Sequence, residues 1–314
     1  MSRLLPLLLL APLAGCADPV AGWPAKPGLK VVASFPPLAC FAANVGGGDV
    51  TVRSAMTHAG PHDFDPTAED MQRVRGADLF VLNGLGLDDR AAKKLKDGSR
   101  NGKLKLIDLG VKLDPKLLHE GECHHDHASG EPHEHGKDPH VWLGPGLAVK
   151  LVEGMRDEFA AADPAHADAY TARAGEYVGT LNALLADGRA MLAGKADRRI
   201  VTSHESLEYF AAAFGLSVSD VIMTTPGREP TSKELAALVD SCVRNKVRVI
   251  AIEPQYAGGA TARRIVEELA RKGVADPAVV EIDPLETARE SDLVPGWYEA
   301  KMRDNLKKLA EALK

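Results

Sequence analysis

Apolar residues along this chain gather into short β-branched runs separated by stretches of helical spacing. Residues 30–35 (KVVASF) form the first run. Pro36-Pro37 then open an apolar helical patch through Val45, which Gly46-Gly47-Gly48 stop. TVRSAM (51–56) predicts a second strand, and Asp65-Pro66-Thr67 caps a helix through Gly76. DLFVLNG (78–84) predicts a third strand, a basic surface helix covers residues 87–97, and KLKLIDLG (103–110) predicts a fourth strand. Strands alternating with helices imply parallel pairing through helical crossovers, a doubly wound α/β lobe.

A helix follows from Pro145 to Ala162, and after Asp163-Pro164 a second pattern runs to about Leu192 without an internal proline. That second helix is roughly 28 residues, about 40 Å, long enough to cross between lobes as a rigid strut. The alternation then restarts. Strands are predicted at 198–204, 217–223, 247–254 and 278–284, and helices at 206–215, 230–245 and 258–273, before a terminal helix from Trp297. The expected fold class is α/β: two doubly wound lobes joined by a long helix. The expected division is an N-terminal lobe at 29–144, linking helices at 145–194 and a C-terminal lobe at 195–314.

The first sixteen residues, MSRLLPLLLLAPLAGC, combine one basic residue, a leucine-rich core and small residues. That describes an export signal too short to span a bilayer. Leu13-Ala14-Gly15-Cys16 resembles a bacterial lipobox, so the expectation is an exported chain, periplasmic or anchored to the envelope through Cys16, with residues 17–28 as a tether. The alternative is a soluble export signal cleaved nearby. Among the 314 residues the formal charge of -6 is spread without a basic block, which argues against nucleic acid as a partner. No CxxC spacing occurs. Cys40 and Cys242 lie in apolar helical patterns and are expected to be buried small hydrophobes, while Cys123 falls in a histidine-rich stretch.

Residues 118–145 hold seven of the chain's eleven histidines. His119, His124, His125, His127, His133 and His135 sit among Gly, Ser, Pro and acidic residues, a composition that predicts a mobile loop over 118–137. His140 differs, because an apolar segment, Val141-Trp142-Leu143, resumes directly after it. In a parallel sheet the loops at the carboxyl ends of the strands form the binding crevice. His62, His140, His204 and Asp283 each belong to such a loop, two per half. Three imidazoles and a carboxylate make a closed four-ligand set suited to Zn²⁺.

Several motifs also carry a family resemblance: GPHDFDPT, ADLFVLNGLGLDD, DPHVWLGP after the histidine-rich insert, VTSHESLEYFAAAFGL, REPTSKELAALV, VIAIEPQY and IDPL. In this order and spacing they resemble the periplasmic zinc-binding proteins of bacterial zinc ABC transporters, the ZnuA/TroA type, over essentially the whole mature chain. The resemblance implies two α/β lobes with the ion at their interface. It also implies metal ligation by the histidines of the PH, DPH and SH motifs and the aspartate of the DPL motif, here His62, His140, His204 and Asp283. Manganese-type relatives tend to carry a glutamate where His204 stands, so zinc is the implied ion. In place of a glycine common after the DPL motif this chain has Glu286-Thr287, expected to bear on loop shape. Glu205 and Glu253 are expected outside the ligand set, Glu253 as an outer contact, and His58 is expected to be peripheral because Gly60-Pro61 break any helix joining it to His62.

The implied function is capture of Zn²⁺ and its delivery to an ABC permease, without a chemical step. Zinc, the permease and a zinc-donor protein are the expected partners of a monomer, and the six loop histidines form an auxiliary zinc set. The alternatives are a manganese or iron carrier of the same family, a zinc-dependent adhesin or zinc buffer of the same fold, and an exported zinc hydrolase. The hydrolase is disfavoured because no HExxH occurs, Glu208 standing where the second histidine would be, and because four protein ligands leave no position for water.

Overall fold

Strand β1 (Leu29–Ala33) runs parallel to β2 (Val50–Ser54) on one side and β3 (Leu79–Leu82) on the other, and β4 (Lys105–Asp108) extends the sheet beyond β3. The order is β2-β1-β3-β4, with Val31 opposite both Val52 and Leu79, and Val81 opposite Ile107. The computed structural model describes residues 22–24, 27–57, 59–121, 136–223, 228–255 and 259–314. All four residues of β3 are buried, as expected of a strand covered on both faces. Helices α1 (Pro36–Gly46), α2 (Ala68–Val74) and α3 (Asp89–Ser99) make the crossovers.

A second parallel sheet repeats the pattern with β5 (Arg199–Thr202), β6 (Ser217–Val221), β7 (Val249–Ile252) and β8 (Ala278–Glu281) in the order β6-β5-β7-β8. Its helices are α6 (Glu208–Phe214), α7 (Ser232–Asn245) and α8 (Gly259–Arg271), and α9 (Trp297–Ala312) closes the chain. In each sheet the lobe's first strand has its second strand on one side and its third on the other. The connections therefore diverge beside it, and a crevice opens at the carboxyl ends of the strands.

Local chemistry sets the element ends. Thr67 and Thr231 each cap a helix in a reciprocal capping box, with Asp70 and Glu234. Pro66 lies before the cap, outside the first turn where the sequence pattern puts it. Gly215, at φ 70, ends α6 in the left-handed conformation that glycine adopts without strain.

Between the sheets, α4 (Pro145–Ala162) and α5 (Ala167–Leu192) form an antiparallel pair. The chain reverses at Asp163-Pro164, where the Asp163 carboxylate accepts the Tyr170 hydroxyl at 2.9 Å and meets His166 Nδ1 at 2.7 Å, so α5 starts three residues later than the sequence pattern places it. The first half of α5 is tied to the N-terminal lobe, because Arg173 donates to the Val45 carbonyl and to Asp49, each at 2.9 Å. Its second half is seated on the C-terminal lobe: a Cβ at Gly188 would collide with Phe214 and come within 2.7 Å of Leu306. One rigid helix thus bridges both lobes.

The larger apolar core passes from the first sheet through α4 and α5 to the inner face of the second, while a smaller one fills the space beneath α7 and α8. Cys40 and Cys242 are buried and free. No helix among the described residues is long and apolar enough to cross a membrane. Residues 1–21, which include Cys16, and Cys123 lie outside the described residues.

Candidate metal centre

The carboxyl ends of the strands carry the site. His62 sits in a turn eight residues beyond β2, where the Asp63 amide donates to the Gly60 carbonyl. His140 follows a short bridge between Glu120 and Lys137 and opens the 3-10 turn Val141–Leu143. The Asn83 amide, just past β3, donates to the Pro139 carbonyl at 2.9 Å and draws that segment onto the first sheet. His204 lies two residues past β5 and opens the 3-10 turn Glu205–Leu207.

These three histidines meet between the lobes. His62 Nε2 and His140 Nε2 are 3.1 Å apart, and the His204 ring lies 5.6 and 5.3 Å from the other two, centroid to centroid. Glu286 completes the group, with Oε1 3.6 Å from His62 Nε2 and 3.8 Å from His140 Nε2. One donor atom from each of the four residues falls within 4.8 Å of all the others, and every residue but His62 is buried. Three imidazole nitrogens and one carboxylate oxygen at this spacing can close around a single divalent cation, and the donor set suits zinc. Glu286 Oε1 is buried and, among the described residues, accepts no hydrogen bond, so an ion there would satisfy an acceptor that lacks a donor.

Two carboxylates behind the cluster aim the rings. Asp138 Oδ1 lies 2.7 Å from His140 Nδ1 and accepts the His140 backbone N–H at 2.9 Å. Glu253, one residue past β7, places Oε1 2.7 Å from His204 Nδ1 and accepts the Ser206 hydroxyl at 3.0 Å. Both rings therefore turn Nδ1 to a carboxylate and Nε2 to the cluster, the usual arrangement around a metal-ligating histidine. Burial pushes the Asp138 carboxyl up to about 7, against the pull of the His140 amide and the surrounding histidines. At Glu286 burial acts in the same direction, yet the close approach and charge of His62, with the charges of His140 and His204, outweigh it and hold the carboxyl below its usual range. At His204 burial disfavours the proton, but Glu253 first and then Glu286 and Asp138 raise its pKa above the ordinary value.

Asp283, expected with the histidines, stands outside the cluster. Its Oδ1 accepts the Leu285 backbone N–H at 2.8 Å and its Oδ2 takes the Lys301 ammonium at 2.9 Å, while Asn305 bonds its backbone on both sides. It shapes the turn that delivers Glu286. Leu285, buried and at φ 65, lies in the left-handed region that a leucine rarely occupies, and this twist turns Glu286 inward. The sequence pattern alone places Glu286-Thr287 in loop shape rather than ligation. The available signal is a second carboxylate three residues after Asp283, a natural turn former before Pro284.

Glu205 is not one of the four, whereas Glu253 makes the outer contact expected of it. His119 stacks on Tyr209, with ring centroids 4.4 Å apart, and its amide donates to the Tyr209 hydroxyl, away from the cluster. His58, His124, His125, His127, His133 and His135 lie outside the described residues.

Two parallel α/β lobes on a bridging helix, with a His/Glu cluster between them, define a two-lobed metal-binding protein. Over residues 31–312 the chain matches the family described as "Zinc-uptake complex component A periplasmic", and it belongs to that family. It is 30% identical over 296 residues to the zinc-binding protein AdcA of Streptococcus pyogenes serotype M6, covering 90% of this chain and 55% of that protein. The chain thus spans about half the length of the curated relatives it matches first. Among solved structures, FpvC of Pseudomonas aeruginosa in complex with Mn²⁺ superposes with a TM-score of 0.77 at 26% identity, covering 91% of this chain and 98% of that one. The Zn(II)-bound ZnuA-like domain of Streptococcus pneumoniae AdcA does so with a TM-score of 0.69 at 28% identity, covering 91% and 98%.

Proposed function

We propose that this protein captures Zn²⁺ outside the cytoplasm and delivers it to an ABC permease, with His62, His140, His204 and Glu286 as the ligands. The observation that carries this reading is the convergence of those four donors within 4.8 Å between the lobes. Zinc is the cargo. All four donors belong to one chain, so the site is complete in a monomer. Nothing is cleaved or transferred: the ion displaces protons from the ligands, joins two ligands of the N-terminal lobe to two of the C-terminal lobe, and the loaded shape is what a permease would recognise.

The names of the relatives support zinc over manganese, as does the imidazole at position 204, where a harder site would carry oxygen. Export by residues 1–16, with acylation at Cys16, fits the periplasmic description of the family. We further propose the loop histidines as an auxiliary, weaker zinc set that feeds the cluster, a role a zinc-donor protein would share. Ordering a polar loop around an ion costs entropy that a preformed site does not.

Metal analysis of the purified protein beside His204→Ala tests the assignment. One tightly held zinc per chain in the parent and none in the variant is the expected result; zinc retained by His204→Ala would exclude this site.

A further inference from the structure

The two oxygens of Glu286 have different surroundings. Oε1 faces the histidines and accepts no hydrogen bond among the described residues, whereas Oε2 accepts from Gln255 Nε2 at 3.4 Å. The same amide nitrogen donates to Glu253 Oε2 at 2.8 Å. Both partners are acceptors when ionised, so the amide presents its NH₂ here and both hydrogens are engaged. From the other side, Gly60 closes on Oε2: a Cβ at that position would stand 2.8 Å from it. Oε2 is held between the Gln255 amide and the chain, and Glu253, which accepts the same amide's other hydrogen, also contacts His204.

We infer that Gln255 is a specificity-determining residue: by occupying Oε2 it limits Glu286 to binding the ion through Oε1 alone. This rests on the zinc-capture reading above. Three imidazoles and one carboxylate oxygen give four donors, the number zinc accepts in a closed site. Manganese gains more from additional oxygen donors and is served when both carboxylate oxygens coordinate. Rotating Oε2 toward the ion requires giving up the Gln255 hydrogen bond, so the residue acts against the larger coordination number as well as positioning the smaller one.

The test compares the parent protein with Gln255→Leu, using Zn²⁺ and Mn²⁺ each in competition with a chelator, and recording the visible absorption of the Co²⁺-loaded protein. Circular dichroism and the unfolding midpoint check the fold, and Gln255→Met, of similar length and also without a donor, serves if the leucine variant is unfolded. The expected result is a fall of about tenfold or more in the Zn²⁺-to-Mn²⁺ affinity ratio, in line with the size of effects from residues behind a ligand. The Co²⁺ bands should weaken toward those of a five-coordinate ion. An unchanged ratio with an unchanged spectrum overturns the inference, and so does an equal loss of both metals, which would make Gln255 a general support. Glu286→Gln, measured alongside, separates the two claims. If it keeps tight zinc, the ligand assignment itself fails; if it loses zinc while Gln255→Leu changes nothing, only the role of Gln255 falls.

Discussion

Trp142 donates its indole N–H to the Pro284 carbonyl at 2.8 Å, a bond that joins the two lobes directly behind the His/Glu cluster. Trp142 is two residues from His140, and Pro284 is two residues from Glu286. The Trp142 carbonyl in turn accepts the Tyr298 hydroxyl at 2.6 Å, and its ring meets Phe35 edge-on at 4.7 Å. One buried side chain therefore fixes the relative position of His140 and Glu286, one from each lobe.

Trp142→Phe removes that bond and leaves the Pro284 carbonyl without its donor. An unsatisfied buried group costs about 1–3 kcal/mol, which should appear as a lower unfolding midpoint in urea. Zinc affinity should fall with it, by about tenfold, because His140 and Glu286 lose their tie. An unchanged affinity in a destabilised protein would show that the bond serves folding alone.

Glu253→Gln keeps the size of the side chain but withdraws the charge beside His204 Nδ1. Zinc affinity should fall by about 10–100-fold, the range found when a carboxylate behind a ligating histidine is removed. Glu208→Gln, on α6 and outside the cluster, should leave affinity unchanged. Isothermal titration with a competing chelator measures both, and equal affinities would remove Glu253 from the site's design.

With His204 as a ligand, proton and zinc would compete for its Nε2. Because the His204 pKa lies above its ordinary value in the metal-free protein, the proton is retained to a higher pH than on a free histidine, and zinc must displace it. Affinity should therefore be greatest on the alkaline side and fall as pH drops, by about tenfold per pH unit for each proton displaced. Glu286, held below its usual range, stays ionised through the same window and adds no slope there. Affinity flat between about pH 7.5 and 5 would contradict histidine ligation.

Much of this architecture can be read from the chain itself. Buried parallel strands are continuous apolar runs, and capping residues such as Thr67 and Thr231 announce their helices. The strands are shorter than the runs suggest, because residues at their carboxyl ends, among them Asn83, Ser203 and Glu253, leave the sheet to build the crevice. The three histidines were legible from their place after strands. Glu286 was not, since the choice between it and Asp283 depends on Lys301 and Asn305, 18 and 22 residues beyond Asp283 on α9, and on the left-handed backbone of Leu285. Neither is visible in a local pattern.

The most direct measurement is the zinc content and affinity of Glu286→Gln beside Asp283→Asn. Asparagine at 283 can still accept the Leu285 amide and keep the turn, so that variant should hold its zinc with at most a modest loss, while Glu286→Gln should lose the tightly bound ion. Tight zinc in Glu286→Gln together with its loss in Asp283→Asn would contradict the ligand set proposed here.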